Sequence, residues 1–126
     1  MADKILLVQG DTRPPLTVSL TDQATGLPIN ISGSTPRLYI RALGDTAIKT
    51  TLQGTLLPGA VQADGSINSA SPYNVAGYGG RCAFGWNTGD LDTAGDFEGE
   101  IEVTFGDGSK QTVYQTLKFK VRGQFA

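Results

Sequence analysis

The residues whose type and spacing could support chemistry are few. Asp90, Asp92 and Asp96 lie close together, Asp107 sits in a turn, Cys82 is the single thiol, and Gly77-Tyr78-Gly79-Gly80 forms a glycine-rich run. Carboxylates beside glycine can hold Ca²⁺, but a calcium loop also needs regular ligand spacing and a terminal bidentate Glu, and neither is present. Turn and capping duty is expected of Asp90 and Asp92, with Thr88 as the cap of a short helical turn. Cys82 alternates with Phe84 and Trp86, which reads as a small buried hydrophobe. A reactive thiol wants a cation or a helix N-terminus nearby, and only Arg81 is adjacent. The glycine run lacks the following Lys and helix of a phosphate loop. The chain has no histidine, which removes the commonest general base, the commonest zinc ligand and the usual activator of a nucleophilic Ser or Cys. No motif supports Ser-Lys chemistry. The expectation is a non-enzyme without metal or cofactor.

What remains are residues suited to contact. Gly65 to Gly80 has no periodicity, and such length inside a compact domain is either functional or disordered. It contains Tyr73, Asn74 and Tyr78. Tyr mixed with Ser, Asn and Gly suits adaptable surfaces, because Tyr covers area at low entropic cost. The alternative is a flexible surface loop. Gly10 to Pro15, with Arg13 and Pro14, reads either as the hinge of a strand that adds to a neighbour or as a plain loop with two prolines. Tyr39, Tyr73, Tyr78 and Tyr114 are the aromatics that a sugar-binding surface would need.

The elements positioning these residues are short and extended. At 126 residues the chain suits one domain spanning 1–126, with 65–80 as its loop. Ten Lys and Arg face twelve Asp and Glu, so no basic surface for nucleic acid is expected. No apolar window reaches membrane-spanning length. Ile5 to Val8 is too short an apolar stretch for a secretory signal, and no small-residue cleavage site follows, so assembly in a cytoplasm is expected. An apolar run fit for a strand spans 4–9, and period-two runs recur at 16–20, 27–31, 37–41, 81–86, 97–105 and 113–122, with weaker β candidates at 47–52, 55–57 and 60–63. Gly and Pro punctuate them.

The best specified pair is the last. Phe97, Gly99, Ile101, Val103 and Phe105 share one face, with Glu98, Glu100, Glu102 and Thr104 on the other. A three-residue loop, Asp107 to Ser109, pairs Gly106 with Lys110 and keeps inward rows matched. It sets Phe97 opposite Phe119, Val103 opposite Val113, Glu98 opposite Lys118 and Asp96 opposite Lys120. The charge rows read as a solvated face that neutralises itself, or else as a charged docking face. The sum predicts an all-β, antiparallel, immunoglobulin-like sandwich of about seven to eight strands, with a closed barrel as alternative. Its core would be built on Phe84, Trp86, Phe97, Ile101 and Phe119.

The order Gly10-Asp11-Thr12, Leu16 to Leu20, Thr21-Asp22, Gly26-Leu27-Pro28-Ile29-Asn30-Ile31-Ser32-Gly33, followed by Arg37 to Arg41, resembles the opening of the N-terminal domain of phage baseplate upper proteins. Gly80 through Trp86, Asp90-Leu91, Ala94-Gly95-Asp96-Phe97, the acidic strand to Phe105 and Gly106-Asp107-Gly108 extend the likeness over most of the chain outside its middle. Phe97 departs from it, standing where many such folds place Tyr, so a tyrosine-corner hydroxyl bond is missing. The resemblance implies an immunoglobulin-like structural protein of the virion, docking other virion proteins of the tail or baseplate, in multiple copies within a symmetric assembly. A capsid decoration or neck protein is the nearest variant, and a carbohydrate-binding sandwich is the alternative of another class.

Overall fold

The computed structural model describes residues 4–22, 24–113 and 116–125. Every regular element among them is a strand: β1 Ile5–Val8, β2 Leu16–Ser19, β3 Thr35–Ala42, β4 Thr50–Gln53, β5 Thr55–Leu56, β6 Ala60–Val61, β7 Ile67–Asn68, β8 Arg81–Phe84, β9 Gly95–Thr104, β10 Lys110–Thr112 and β11 Leu117–Arg122. The chain is all-β, as its alternating pattern requires.

Three sheets form. The largest runs β1-β11-β9-β3-β4, with β10 also on β9; a second runs β2-β8-β5; β6 and β7 make a separate hairpin. Inward residues of the two larger sheets merge into one buried cluster. Leu38, Ile40, Leu52, Phe97, Ile101, Val103, Phe119 and Val121 come from the first sheet, and Cys82 and Phe84 from the second. Trp86, just past β8, packs edge-on to Phe119 with ring centroids 6.0 Å apart and planes at 88°. Such a pair contributes about 0.5–1.5 kcal/mol beyond its buried area. All five aromatic and aliphatic residues expected at the centre are buried.

Two glycines let the layers close. Gly54 is the sole residue between β4 and β5, and carries the chain from one sheet to the other. A Cβ there would lie 2.8 Å from Phe84 Cε1 and 3.0 Å from Pro36 Cγ. Gly99, in the inward row of β9, leaves space that Phe119 and Leu38 fill, with a Cβ again 2.8 Å from the Phe119 ring.

Several expectations need correction. The main sheet is mixed rather than antiparallel, because β1 runs parallel to β11 with Ile5 beside Phe119 and Leu7 beside Val121. That register continues the apolar row of β11 onto β1, and the chain end then turns through Gly10–Pro15 towards β2. The segment 27–31 is not a strand. Its Pro28 makes only a single bridge to Thr21, since Ile29 donates to Leu20 O and Ile31 to Gly77 O, two different acceptors that no one ladder supplies. Thr88 caps nothing helical: residues 88–91 form a turn in which Asp90 itself accepts from Asn87 N.

The terminal hairpin has a three-residue loop, but one residue earlier than expected. Phe105 N donates to Ser109 O at 2.8 Å, leaving Gly106–Gly108 as the loop and Gly108 at φ +88°. Lys110 therefore faces Thr104 and Gln111 faces Val103, in place of the Gly106–Lys110 and Val103–Val113 pairs. Val113 donates to Ile101 O, whereas Leu117 already faces Gly99. Four steps along one strand thus match two along the other. The register shifts by an even number, so inward residues stay inward. Beyond that point Phe97 faces Phe119, Glu98 faces Lys118 and Asp96 faces Lys120, as the charge and apolar rows demand.

Candidate functional site

The pairing directions place the loops. β2 pairs antiparallel with β8, Leu16 against Phe84 and Ser19 against Arg81. The turn after β2, the long excursion from Leu57 to Gly80, and the tip of the β9–β10 hairpin beside Thr35 therefore share one end of the molecule. Backbone hydrogen bonds knit the first two together. Leu20 N donates to Gly80 O at 2.8 Å, Ile31 N to Gly77 O at 2.9 Å, Gly77 N to Leu57 O at 2.9 Å and Gly59 N to Tyr73 O at 2.7 Å.

The segment 65–80 contains regular local structure. Its first part completes the β6–β7 hairpin, with Val61 opposite Ile67. Its second is a run of tight turns in which Tyr73 N bonds Ala70 O, Tyr78 N bonds Val75 O and Gly80 N bonds Gly77 O. Tyr73 and Tyr78 stand edge to face, 6.0 Å apart at 71°, and both are half-buried. They brace the turns from within. Asn74 is exposed, and beside it Val75 presents an apolar side chain, 49% exposed. Val61 and Ile67, paired across the hairpin, remain 44% and 45% exposed, and Leu27 on the neighbouring turn 63%. The end is a set of hydrogen-bonded turns that carries exposed apolar side chains.

Val61, Ile67, Val75 and Leu27 were not singled out from sequence, although a signal was present. Asp64-Gly65-Ser66 repeats Asp107-Gly108-Ser109. In both, the Asp carboxylate accepts from the Ser backbone, at 3.0 and 2.9 Å, and from its hydroxyl, at 2.6 Å. Both glycines take φ +88°. Reading the first triplet as a hairpin tip, like the second, would have made 60–68 a strand pair.

Arg13 and Pro14 lie elsewhere. They are exposed in the connection that enters β2 at Leu16, opposite Phe84, whereas Tyr73 and Tyr78 precede Arg81 at the other end of β8. The structure does not bring the two sets together. Tyr39 lies on the outer face of the main sheet, half-buried, with its hydroxyl 3.2 Å from Glu102 Oε1; burial and that carboxylate raise its pKa above 10.0. Tyr114 lies outside the described residues. The three described tyrosines, Tyr39, Tyr73 and Tyr78, are half-buried, and Tyr39 stands apart from the other two on the main sheet.

The groups with chemical potential are committed to structure. Asp90 accepts from Asn87 N at 2.6 Å and from Thr50 Oγ1 at 2.9 Å. Asp92 pairs with Lys49 at 2.6 Å and Asp96 with Lys4 at 3.1 Å. Hydrogen bonds from Lys49 and Thr93 hold the Asp92 carboxyl below its usual range; the Ser hydroxyls and amides do the same for Asp64 and Asp107. On the outer sheet face Glu98 receives Arg41 at 2.8 Å and Lys118 at 3.1 Å, which lower its pKa. Cys82 is fully buried, and desolvation pushes its thiol up to about 11. Among the described residues no group of three potential metal ligands comes together, and no helix is long and apolar enough to cross a membrane. A pocket of about 120 Å³ on the outer face is lined by Tyr39, Arg41, Ile48, Glu98, Gly99, Glu100 and Thr116, and its Glu98 carboxylate is already taken by Arg41 and Lys118.

Comparison with family models, with curated proteins and with solved structures returned no match.

Proposed function

We propose that this chain is an immunoglobulin-like β-sandwich serving as a non-enzymatic structural part of a phage particle, where it docks other virion proteins in the tail or baseplate. Strand order supports the sandwich. In a variable-type immunoglobulin domain the seventh-, sixth- and third-lettered strands lie side by side with an added fourth, opposite a sheet that joins the second, fifth and fourth letters. The orders β11-β9-β3-β4 and β2-β8-β5 follow that scheme. A buried Trp between the layers fits it as well, although here it follows β8.

The observation that carries the docking role is the loop end. Hydrogen bonds tie its backbone together, Val61, Ile67, Val75 and Leu27 stand exposed on it, and the carboxylates of Asp22, Asp64 and Asp107 are taken up by hydrogen bonds within their own turns. Fixed turns bearing Asn74, Val75, Val61 and Ile67 suit a protein surface, because little conformational entropy is lost on binding. The phage setting rests on the motif order from Gly10 to Gly33 and from Gly80 to Gly108, and gives the location: assembled in the host cytoplasm, resident in the virion, in several symmetric copies.

Mass spectrometry of purified particles tests this directly. The protein is expected in them, at about six to eighteen copies for a baseplate position and at tens to hundreds for a head or tube position. Val75→Asp should fold with an unchanged melting temperature and fail to enter particles. Absence of the wild-type chain from particles overturns the setting; full incorporation of Val75→Asp overturns the docking surface.

A further inference from the structure

β1 is the outermost strand of the main sheet and pairs only with β11 among the described residues. Its four residues, Ile5-Leu6-Leu7-Val8, contain no charge and no proline, the devices that usually blunt a sheet edge. The direction of the unused backbone groups follows from one bond. Gln9 N donates to Arg122 O at 2.9 Å, and successive residues of a strand turn their amides to alternate sides. Ile5, Leu7 and Gln9 therefore address β11, while Leu6 and Val8 turn their N–H groups to the open side.

Both faces of this strand are also incomplete. Ile5 and Leu7 pack against the core yet stay half-buried. Leu6, on the outer face, is 75% exposed. An added strand would cover the first two and complete the inner layer.

Charge selects the occupant. On the outer face Leu6 lies beside Lys120 and Val8 beside Arg122. Lys118 and Lys4 of the same region already pair with Glu98 and Asp96. Among the described residues no carboxylate lies within salt-bridge distance of Lys120 or Arg122, and Arg122 stacks on Phe125 at 5.0 Å. The edge is thus bordered by Lys120 and Arg122, since Asp96, across the strand pair from Lys120, is already taken by Lys4. A second copy joined edge to edge would bring two such borders together, which is unfavourable. An added strand would hold its outer side chains roughly 10 Å from Lys120 and Arg122, two strand spacings away and about one Debye length at physiological salt.

We propose that the open edge of β1 accepts an extended segment of a partner protein, with apolar residues towards the core and acidic residues on the outer face. Affinity comes from main-chain hydrogen bonds to Leu6 and to the Val8 N–H, the Val8 carbonyl being taken by Asp11 N at 3.1 Å, and selectivity from the Lys120–Arg122 border, as in other strand additions. This surface is separate from the loop end and does not depend on the phage setting.

The test uses two peptides of about six residues, one alternating Val with Glu and the other Val with Lys, titrated against the full chain by amide NMR. The Glu peptide should shift the Leu6 and Val8 amides and bind about five-fold tighter at low salt, the difference vanishing near 1 M salt, where screening is complete. Leu6→Pro removes an outward N–H and no bond to β11, a substitution edge strands tolerate; it should keep the melting temperature and abolish binding. If it unfolds the protein, Lys120→Glu serves instead and should reverse the peptide preference. Val75→Asp should leave peptide binding intact, which separates this site from the loop end. Equal affinity for both peptides, binding retained by Leu6→Pro, or a concentration-dependent dimer that Leu6→Pro dissolves would each overturn the proposal.

Discussion

Gly79 leaves no room for a methyl group, since a Cβ there would collide with the carbonyl oxygen of Gly59. Its neighbour Gly80 combines φ +79° with a Cβ position against Leu20 O, so both space and backbone conformation require glycine there. Gly79→Ala is expected to cost about 1–3 kcal/mol by overpacking, read as a lower denaturant midpoint with unchanged slope. Phe84 is fully buried between the sheets, and Phe84→Ala should cost about 3–5 kcal/mol through lost transfer energy and the cavity left behind. A loss below about 1 kcal/mol would mean that the layers collapse onto the gap. Sequence alone identified Phe84 from its alternation with Cys82 and Trp86. It could not identify what Gly79 touches, because Gly59 is twenty residues away in the chain.

The β9–β11 pair carries its own electrostatic signature. Hydrogen bonds from Arg41 and then Lys118 lower the Glu98 pKa. A depressed carboxylate contributes stability that is complete above its unfolded value of 4.5 and is lost as pH falls through the lower folded value. Glu98→Gln should therefore lower the melting temperature slightly near neutrality, and by the same small, solvent-screened amount flatten its fall below about pH 4.5. An unchanged acid limb would remove Glu98 from that role. This pairing was legible because charge and apolar rows alternate over nine residues, and only one parity of register satisfies both. The turn was off by one residue because either placement keeps that parity. The register step between Val113 and Leu117 gives no such signal, since a two-residue offset leaves every face unchanged. The segment 27–31 misled for a related reason: alternation of Leu27, Ile29 and Ile31 reports which side chains point inward, not whether a neighbouring strand exists to accept the amides. Parallel pairing of β1 was equally hidden, as Ile5 and Leu7 would match an apolar row in either direction.

At the scale of the whole molecule, one core joins the two larger sheets, and among the described residues no charged side chain is buried in it. The only thiol in the chain is the exception in place but not in consequence. Cys82 is sealed between the layers with its ionisation pushed to about 11, and reagents that attack thiolates need both access and deprotonation. A cysteine newly placed at exposed Asn74 should thus be the sole position to take up a maleimide dye in the native protein, with the natural one reacting only after denaturation. The wild-type background is already suited to site-specific fluorophores, so distances from the loop end to any neighbour become measurable without first engineering the native thiol away.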